Sequence, residues 1–514
     1  MDKKIIFNLL SNVLVAFGAI FALPIFAMPF FYAAIFMRDF ETSALFVVMG
    51  IGVVLSIHCL RKLGHGHKRR LSLVSAATTM LLVYPLIALF GFLPFVYFGV
   101  LSPVDAVLET VADLTSAGIS IMPNDTPYIL RLWQSLLMWF GSLMFLVILV
   151  TLMPKVSGNF GMTLSLHGGQ NFSPIFGQML VMAQRMIRVY TALTIFSAGI
   201  FKLAGLDFWD SILMAMRCIS TSGGKFFPGQ GNIYIEYAAA FTMLLACGNF
   251  LFYHRLIVTI PPPIIITKEN FLRRGINYIK NFFKNIIHNI KHFFTNSEVK
   301  VIALIFFIGV AITTFSTYRN GIFPNLSEAF RHSIFHVASF LSTTGMHLDS
   351  FSKFTDFDGF FIFFLSLFGG CMGSVTGGIK IMRIIVLGKL MAAELEKTMH
   401  PRMLTVIKVN KFTVPSETIG RILGFFFLSC VTLFICAAIL SFTGLSFSEA
   451  VAMSFSCLTN VGNLPGLCEP QNFLGLPTAG KFFCMIILIL GRLEIFVLLI
   501  FLAGLIDRRN VKGW

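Results

Sequence analysis

The residues DAVLETVADLTSAG, at positions 105–118, begin a pattern that occurs four times and decides the fold of this chain. The other copies read DSILMAMRCISTSG (210–223), EAFRHSIFHVASFLSTTG (328–345) and EAVAMSFSCLTNVG (449–462). Copies one, two and four place an acidic residue 13 positions before the final glycine, and copy three places it 17 positions before. The extra length is about one helical turn of roughly 3.6 residues. Internal repetition of this kind predicts a repeated structural unit.

Each copy predicts a short helix followed by a glycine turn. An acidic side chain suits the positive N-terminal end of a helix, and the opposite end is partly negative. Glycine tolerates the positive φ that lets consecutive carbonyl groups point the same way. Four such helix ends on one axis would favour a cation. The carbonyl groups of the four turns would replace its hydration shell. A single copy would be explained as a capped helix, whereas four copies in the same arrangement favour an ion pathway.

The composition places these copies in a membrane. Of the 514 residues, 56% are hydrophobic and 12% are charged, whereas soluble domains carry about 25% charged residues. No signal-peptide cleavage site follows the first apolar stretch, so we expect that stretch to be retained. Ten apolar stretches approach the roughly 20 residues that a bilayer requires. They lie near residues 7–35, 42–60, 73–100, 132–153, 189–205, 235–260, 301–318, 358–390, 421–443 and 482–506.

The net charge of +16 follows the predicted topology and argues against a nucleic-acid partner. Basic residues concentrate near 61–70, 268–291, 389–411 and 508–512, and in a ten-span chain these loops share one side. The positive-inside rule makes that side cytoplasmic. The opposite side carries more acidic residues, which would modestly concentrate cations.

A second glycine-rich stretch, GGCMGSVTGG from Gly369 to Gly378, interrupts the apolar stretch 358–390 and is called the glycine segment below. Each glycine destabilises a helix by about 1 kcal/mol relative to alanine, so its five glycines should break the helix. Broken backbone at membrane depth needs burial in protein or a watery cavity. The segment therefore suggests a conduit that can be shut. Close helix packing through small residues is the alternative.

The four copies and several local strings resemble the Trk/Ktr/HKT superfamily of potassium transporters, and most closely its bacterial TrkH type. These strings lie at Arg131–Gly141, Gly248–His254, Gly369–Arg383 and Gly491–Phe496. The resemblance implies an all-α integral membrane protein of about ten transmembrane helices. Four repeats of span, pore helix, filter and span would surround a pseudo-fourfold pore, and two extra helices would precede them. The expected boundaries are 1–70 for the N-terminal two-helix domain, 71–160 and 161–265 for pore repeats 1 and 2, 266–298 for a basic cytoplasmic loop, and 299–395 and 396–514 for pore repeats 3 and 4.

The resemblance further implies a selectivity filter that binds potassium ions, with no covalent cofactor. In plant relatives, serine at the first-loop glycine accompanies sodium permeation, so Gly118 favours potassium. Two departures weaken the selectivity assignment. Lys225 follows the second filter and would repel cations unless an acid such as Asp125 or Glu469 pairs with it, and the fourth loop lacks the usual Gly-Pro-Gly. The implied filter positions are Thr115, Ser116, Ala117, Gly118, Thr221, Ser222, Gly223, Thr343, Thr344, Gly345, Asn460, Val461 and Gly462.

An intramembrane gate below the filter is also implied by the resemblance. Arg492 would face the pore as an electrostatic barrier, or would instead form a structural pair with Glu494 or a neighbouring helix. Residues two apart on a helix do not face each other, which disfavours Glu494 as its partner. The other implied gate residues are Gly369, Gly370, Gly373, Thr376, Gly377, Gly378 and Lys380.

The leading functional hypothesis is potassium uptake across a bacterial cytoplasmic (inner) membrane through a gated pore. The resemblance implies a lipid-embedded homodimer and a cytoplasmic ring of TrkA-like nucleotide-binding subunits, which would dock on the basic loops, chiefly 261–300. One alternative is symport of potassium with protons or sodium, which needs mid-span carboxylates, of which Glu494 is the main candidate. Another is a less selective sodium/potassium pathway. A membrane enzyme is disfavoured, since His254, His332, His336 and His347 are dispersed.

Overall fold

The computed structural model describes residues 23–64, 73–123, 125–151, 176–224, 227–258, 295–348, 354–402, 406–410, 412–462, 464 and 470–506. These residues are mostly helical, which confirms the all-α membrane fold. Their β structure is a ribbon of two short strands, β1 (Lys408–Val409) and β2 (Phe412–Thr413). The helices are α1 (Leu23–Tyr32, continued by a π-turn at Ala33–Met37), α2 (Phe40–Gly64), α3 (Leu73–Gly91), α4 (Leu93–Tyr97), α5 (Pro103–Leu114), α6 (Tyr128–Thr151), α7 (Phe176–Leu203), α8 (Phe208–Ile219), α9 (Ile233–Ala246), α10 (Phe250–Val258), α11 (Ser297–Arg319), α12 (Leu326–Leu341), α13 (Asp356–Leu365), α14 (Ile381–Met399), α15 (Ser416–Ser441), α16 (Phe447–Thr459), α17 (Pro470–Leu474), α18 (Thr478–Leu493) and α19 (Ile495–Ile506).

Among the described residues, the continuous spans are fewer than the ten predicted stretches. Within the described ranges, six segments are apolar and long enough to cross a membrane, and α18 with α19 forms a seventh that bends by 105°. The predicted stretches 235–260 and 358–390 are also broken, at Cys247–Asn249 and at the glycine segment. The stretch 7–35 lies mostly outside the described residues. The six continuous spans are Phe40–Cys59, Val74–Tyr97, Tyr128–Val150, Val181–Leu203, Ser297–Arg319 and Ser416–Ser441.

Four short helices, α5, α8, α12 and α16, coincide with the four sequence copies. Their lengths are 12, 12, 16 and 13 residues, so the third is longer by about one turn. The first begins at Ser102, whose hydroxyl accepts from the Asp105 amide, and the last begins with a capping box of Ser446 and Glu449. These caps satisfy the free amides at helix N-termini. The acidic residues of the four first turns are Asp105, Asp210, Glu328 and Glu449.

The four units, each containing one of these short helices, contact one another in a closed ring. α6 packs against α8, and α9 packs against α12. Phe363 of α13 packs against Phe455 of α16, with ring centroids 4.2 Å apart. The circle closes where α18 packs against α5. The C-terminal ends of the four short helices thus reach the inside of one ring of helices.

Candidate functional site

Each short helix leads into a loop, and the four loops are defined as loop 1 (115–121), loop 2 (220–224), loop 3 (342–348) and loop 4 (460–462). Each loop contains a non-glycine residue with a left-handed φ between 51° and 57°. Such a conformation strains a residue with a side chain and persists only where the surroundings fix it. A positive-φ glycine then follows two residues later in loops 1, 3 and 4, and three residues later in loop 2. The left-handed residues are Ser116, Thr221, Thr343 and Asn460.

All four loops meet at one place. The Gly223 amide of loop 2 donates to the Thr344 carbonyl of loop 3 over 2.7 Å. A Cβ added to Gly118 of loop 1 would lie 2.8 Å from the Thr344 oxygen and 3.1 Å from the Gly223 nitrogen. A Cβ added to Gly462 of loop 4 would lie 2.6 Å from the carbonyl oxygen of Ala117. Backbone groups of all four loops are therefore in close contact at one place.

The thirteen predicted filter residues are all buried in these loops. Thr115 is the C-cap of α5, and its hydroxyl donates to the Val111 carbonyl over 2.8 Å. Asn460 donates its side-chain amide to the Leu488 carbonyl over 3.3 Å, which ties loop 4 to α18. The C-terminal ends of four helices, each partly negative, point at the same small volume.

Side chains on the short helices hold three of the loops from a shared position, four residues before the left-handed residue. Arg217 donates to the Gly223 carbonyl over 3.3 Å, and Ser339 donates to the Met346 carbonyl over 2.6 Å. Ser456 donates to the Gly462 carbonyl. Sequence reasoning missed these contacts, although the equal offset in the aligned copies could have indicated them.

A second shared position lies seven residues before the left-handed residue. In loop 1 the Glu109 carboxylate accepts from the Ile121 amide over 2.8 Å. In loop 3 the His336 Nε2 accepts from the Leu348 amide over 3.4 Å. Both contacts hold the segment that leaves the loop, so the loop conformation is fixed at both ends.

Substitution of Gly118 by serine should lower the discrimination between potassium and sodium. Gly118 has φ +68°, and the new Cβ would lie 2.8 Å from the Thr344 oxygen, so loops 1 and 3 must separate. The matched control is Gly99→Ser, because Gly99 has φ +64° with nothing within 4 Å of its Cβ position. Flux of both ions into proteoliposomes measures the effect. An unchanged potassium/sodium ratio in Gly118→Ser would show that loop 1 does not govern selectivity.

The glycine segment is a closed loop between α13 and α14. Its ends are joined where the Gly369 amide donates to the Ile379 carbonyl over 2.9 Å. Inside it, the Gly370 amide donates to the Thr376 hydroxyl over 2.7 Å. The Lys380 ammonium donates to the carbonyl and the hydroxyl of Ser374, and to both corresponding oxygens of Thr376. Lys380 therefore organises the loop as an internal cation.

The same segment contacts loop 3 and the last residue of α16 directly. The Gly377 amide donates to the Thr343 hydroxyl over 2.8 Å, and the Gly378 amide donates to the Thr459 carbonyl over 3.0 Å. A Cβ on Gly377 would overlap the Thr459 oxygen, which explains why glycine is required there. The backbone of the segment thus lies against the ends of two short helices.

The opposite side of the glycine segment is anchored to two other units. The Cys371 amide donates to the Cys247 carbonyl over 2.8 Å, at the break between α9 and α10. The Met372 amide donates to the Glu298 carboxylate over 2.8 Å, at the start of α11. Gly373 has φ +87°, and a Cβ there would lie 2.9 Å from the Asn249 side-chain oxygen.

Arg492 is buried at the end of α18, next to loop 1. Its Nη2 donates to the Ser116 hydroxyl over 3.2 Å and to the Ser142 hydroxyl over 3.4 Å. Its guanidinium lies 4.1 Å from the centroid of the Phe145 ring. Glu494 instead forms an ion pair with Arg383 of α14, at 2.6 Å. The positive charge of Arg492 is therefore directed at the left-handed residue of loop 1.

The bend of the last span occurs at Glu494. This residue has φ 65° and ψ 146°, a region that glycine normally occupies. A cavity of about 200 Å³ lies beside the bend and is lined by Gly377, Lys380, Arg383 and Arg492, among others. The glycine segment and the last span therefore border the same space.

Glu494 is only partly buried, and other acidic side chains among the described residues are buried more deeply. Five other acidic side chains are at most 2% exposed, and none of them lies in the middle of a continuous span. They lie on short helices or near helix ends, so a search of the sequence for apolar stretches does not detect them. These residues are Glu109, Asp113, Glu236, Glu298 and Asp358.

Several predicted features lie outside the described residues. Lys225, Glu469 and most of the basic loop 261–300 belong to them. Of the four histidines, His332 and His336 are neighbours on α12, with ring centroids 6.3 Å apart. The described part of the chain contains no group of three or more His, Cys, Asp or Glu residues that could hold a metal ion.

Comparisons with known proteins confirm the resemblance. The family model TrkH, described as a cation transport protein, matches residues 93–511. The Trk system potassium uptake protein TrkH of Halomonas elongata is 26% identical over 463 residues, which cover 88% of this chain and 90% of that protein. The protein of the same name from Escherichia coli K12 is 24% identical over 467 residues, covering 89% of this chain and 90% of that protein.

A solved structure shares the fold. The crystal structure of the potassium transporter TrkH from Vibrio parahaemolyticus superposes with a TM-score of 0.79 at 23% identity, covering 98% of this chain and 99% of that chain. The apolar spans and the bacterial relatives identify an integral protein of a bacterial inner membrane. Because the family model matches most of the chain, this protein belongs to the TrkH family of cation transport proteins.

Proposed function

We propose that this protein is the translocating subunit of a Trk-type potassium uptake system. The observation that carries the proposal is the convergence of loops 1 to 4, each with a left-handed residue at the end of a short helix. Carbonyl groups from four loops replace the water around a potassium ion, and the negative helix ends stabilise its charge. The relatives named Trk system potassium uptake proteins support potassium as the ion carried.

In the proposed mechanism, a potassium ion enters from the acidic outer side and loses its water within the four loops. The glycine segment then blocks its exit, because its backbone lies against Thr343 and Thr459. Opening requires the Gly377 and Gly378 amides to release these partners. Arg492 adds a positive charge beside loop 1. This charge repels a cation in the pathway until the guanidinium or the glycine segment moves.

The transporter would act within an assembly. A Trk system implies regulatory subunits, and we propose a homodimer that binds a cytoplasmic ring of TrkA-like nucleotide-binding subunits. The basic loops that we assign to the cytoplasmic side are the proposed docking surface. Movement of that ring would reach the glycine segment through α14, whose first turn contains Arg383. No catalytic activity is proposed for the chain itself.

Ion flux into proteoliposomes tests the proposal. The purified protein should carry potassium and rubidium down their gradients and should carry sodium more slowly. The flux should not depend on a proton gradient. Equal flux in empty liposomes, or a preference for sodium, would contradict potassium uptake.

Symport is the second candidate, and one observation favours it. Glu298 is fully buried and accepts a hydrogen bond from the glycine segment, so a proton on its carboxyl would change that contact. Symport requires potassium flux to rise with an inward proton gradient and requires Glu298→Gln to abolish that rise. Lys300→Gln, two residues away on α11, is the control.

A further inference from the structure

A buried polar cluster connects loop 1, loop 2 and the span α6. Its members lie on α5, α6 and α8 and in loop 1, and none is more than 2% exposed. Three of them are ionisable, which is costly in a membrane protein unless the charges compensate one another. The cluster consists of Glu109, Asp113, Ser120, Gln134, Ser135 and Arg217.

Arg217 occupies the centre of this cluster with all three guanidinium nitrogens engaged. Its Nε donates to the Ser135 hydroxyl over 2.8 Å, and its Nη2 donates to the Gln134 side-chain oxygen over 2.7 Å. Its Nη1 donates to the Gly223 carbonyl of loop 2 over 3.3 Å. The planar guanidinium fixes these three directions at once, which a lysine ammonium cannot do. Loop 2 is therefore held at a fixed distance from α6.

The cluster continues from Gln134 to loop 1. The Gln134 amide donates to the Glu109 carboxylate over 2.6 Å, and the other oxygen of Glu109 accepts from the Ile121 amide over 2.8 Å. The carboxylates of Asp113 and Glu109 also attract the Arg217 guanidinium. Hydrogen bonds and charge thus connect the carbonyl of Gly223 with the backbone that leaves loop 1.

The other copies show that a smaller side chain is enough to hold a single loop. The equivalent positions are Ser339 and Ser456, whose hydroxyls hold loops 3 and 4, and Ala112 on α5. An arginine at this position of loop 2 reaches further, because it binds α6 as well as its own loop. Its extra reach joins two of the four loops that surround the ion.

We propose that Arg217 is a positioning residue that sets the cation selectivity of the pore by fixing the separation of loops 1 and 2. The inference rests on the proposed function, because selectivity exists only in a conducting protein. Gly223 also donates to the Thr344 carbonyl, so a shift of loop 2 would reach loop 3. Wider spacing would favour neither ion and would lower the preference for potassium.

Two substitutions test the proposal by flux. Arg217→Met should lower the potassium/sodium flux ratio by about ten-fold. Arg217→Lys should lower the ratio less, because lysine keeps the charge but cannot form the three hydrogen bonds of the planar guanidinium. Because Arg217→Met leaves buried carboxylates without their cation, the double variant Asp113→Asn, Arg217→Gln removes one charge of each sign and leaves the net charge of the cluster unchanged. It should also lose selectivity. Arg319→Met, an exposed arginine at the end of α11, is the control and should keep the ratio.

Hydrogen exchange separates this inference from the proposed function. If the wild-type protein carries no potassium, the proposed function fails, but amide exchange in residues 119–121 and 222–224 still reports whether Arg217 holds the loops. Faster exchange in the Arg217 variants supports the positioning role. Folded variants with unchanged exchange and an unchanged flux ratio would overturn it. If Arg217→Met does not fold, the double variant and Arg217→Lys decide.

Discussion

Proteoliposomes that contain a variant lacking residues 371–376 are expected to leak potassium about ten-fold faster than those with the natural protein. The deletion removes the part of the glycine segment that contacts Cys247 and Glu298 and that Lys380 organises. The remaining ends are already close, because a Cβ on Gly369 would overlap the Gly377 carbonyl oxygen. The variant joins Gly370 directly to Gly377. Rubidium flux without a regulatory partner measures the leak.

Two variants control for damage to the fold. Thr376→Val keeps the chain length but removes the hydroxyl that accepts from the Gly370 amide, so a smaller leak is expected. Gly388→Ala on α14 adds a methyl group in open space and should behave as the natural protein. A folded deletion variant with slower or unchanged flux would refute the assignment of the glycine segment as a gate.

Replacement of Arg492 by alanine is expected to raise potassium flux about ten-fold, because a buried positive charge beside Ser116 opposes a cation in the pathway. Arg492→Lys preserves the charge and is the matched control, with flux near that of the natural protein. Initial rates of rubidium uptake at equal protein density measure both. Equal flux in Arg492→Ala and Arg492→Lys would show that the charge is not a barrier and that the residue packs against Phe145 for structural reasons.

The aligned copies predicted the short helices well because local physics determines them. An acidic residue in the first turn and a glycine after the last turn act over a few residues, and Asp105 and Glu449 lie in the first turns of their helices. The longer third copy likewise corresponds to a longer helix, Leu326–Leu341.

The apolar stretches predicted which segments lie in the membrane, but not whether the helix in each segment is continuous. Hydropathy averages over a window, so it does not detect the break at Cys247–Asn249 within stretch 235–260. The bend at Glu494 has no local signal either, since glutamate is a good helix former. Its ion pair with Arg383, 111 positions earlier in the chain, accompanies a backbone conformation that local preference would not select. A contact between residues so far apart in the chain leaves no local sequence pattern from which it could be predicted.

The polar cluster around Arg217 was missed for the same reason. Its charges come from two different copies, and Gln134 and Ser135 come from an apolar span, so no short window contains the network. The string Arg131–Gly141 contributed to the family resemblance without indicating what Gln134 contacts. Compensation between buried charges becomes visible only when the helices are placed together.

The ring of four units is formed by a single covalent chain, so symmetry is approximate and need not be kept. In a tetramer of identical subunits, one substitution changes all four walls of the central axis at once. Here the position four residues before each left-handed residue is alanine, arginine, serine and serine in turn. Each of the four units can therefore be altered separately. A single substitution changes only one of the four sides that surround the central axis. We therefore expect equivalent substitutions in the four units of this ring to have different effects.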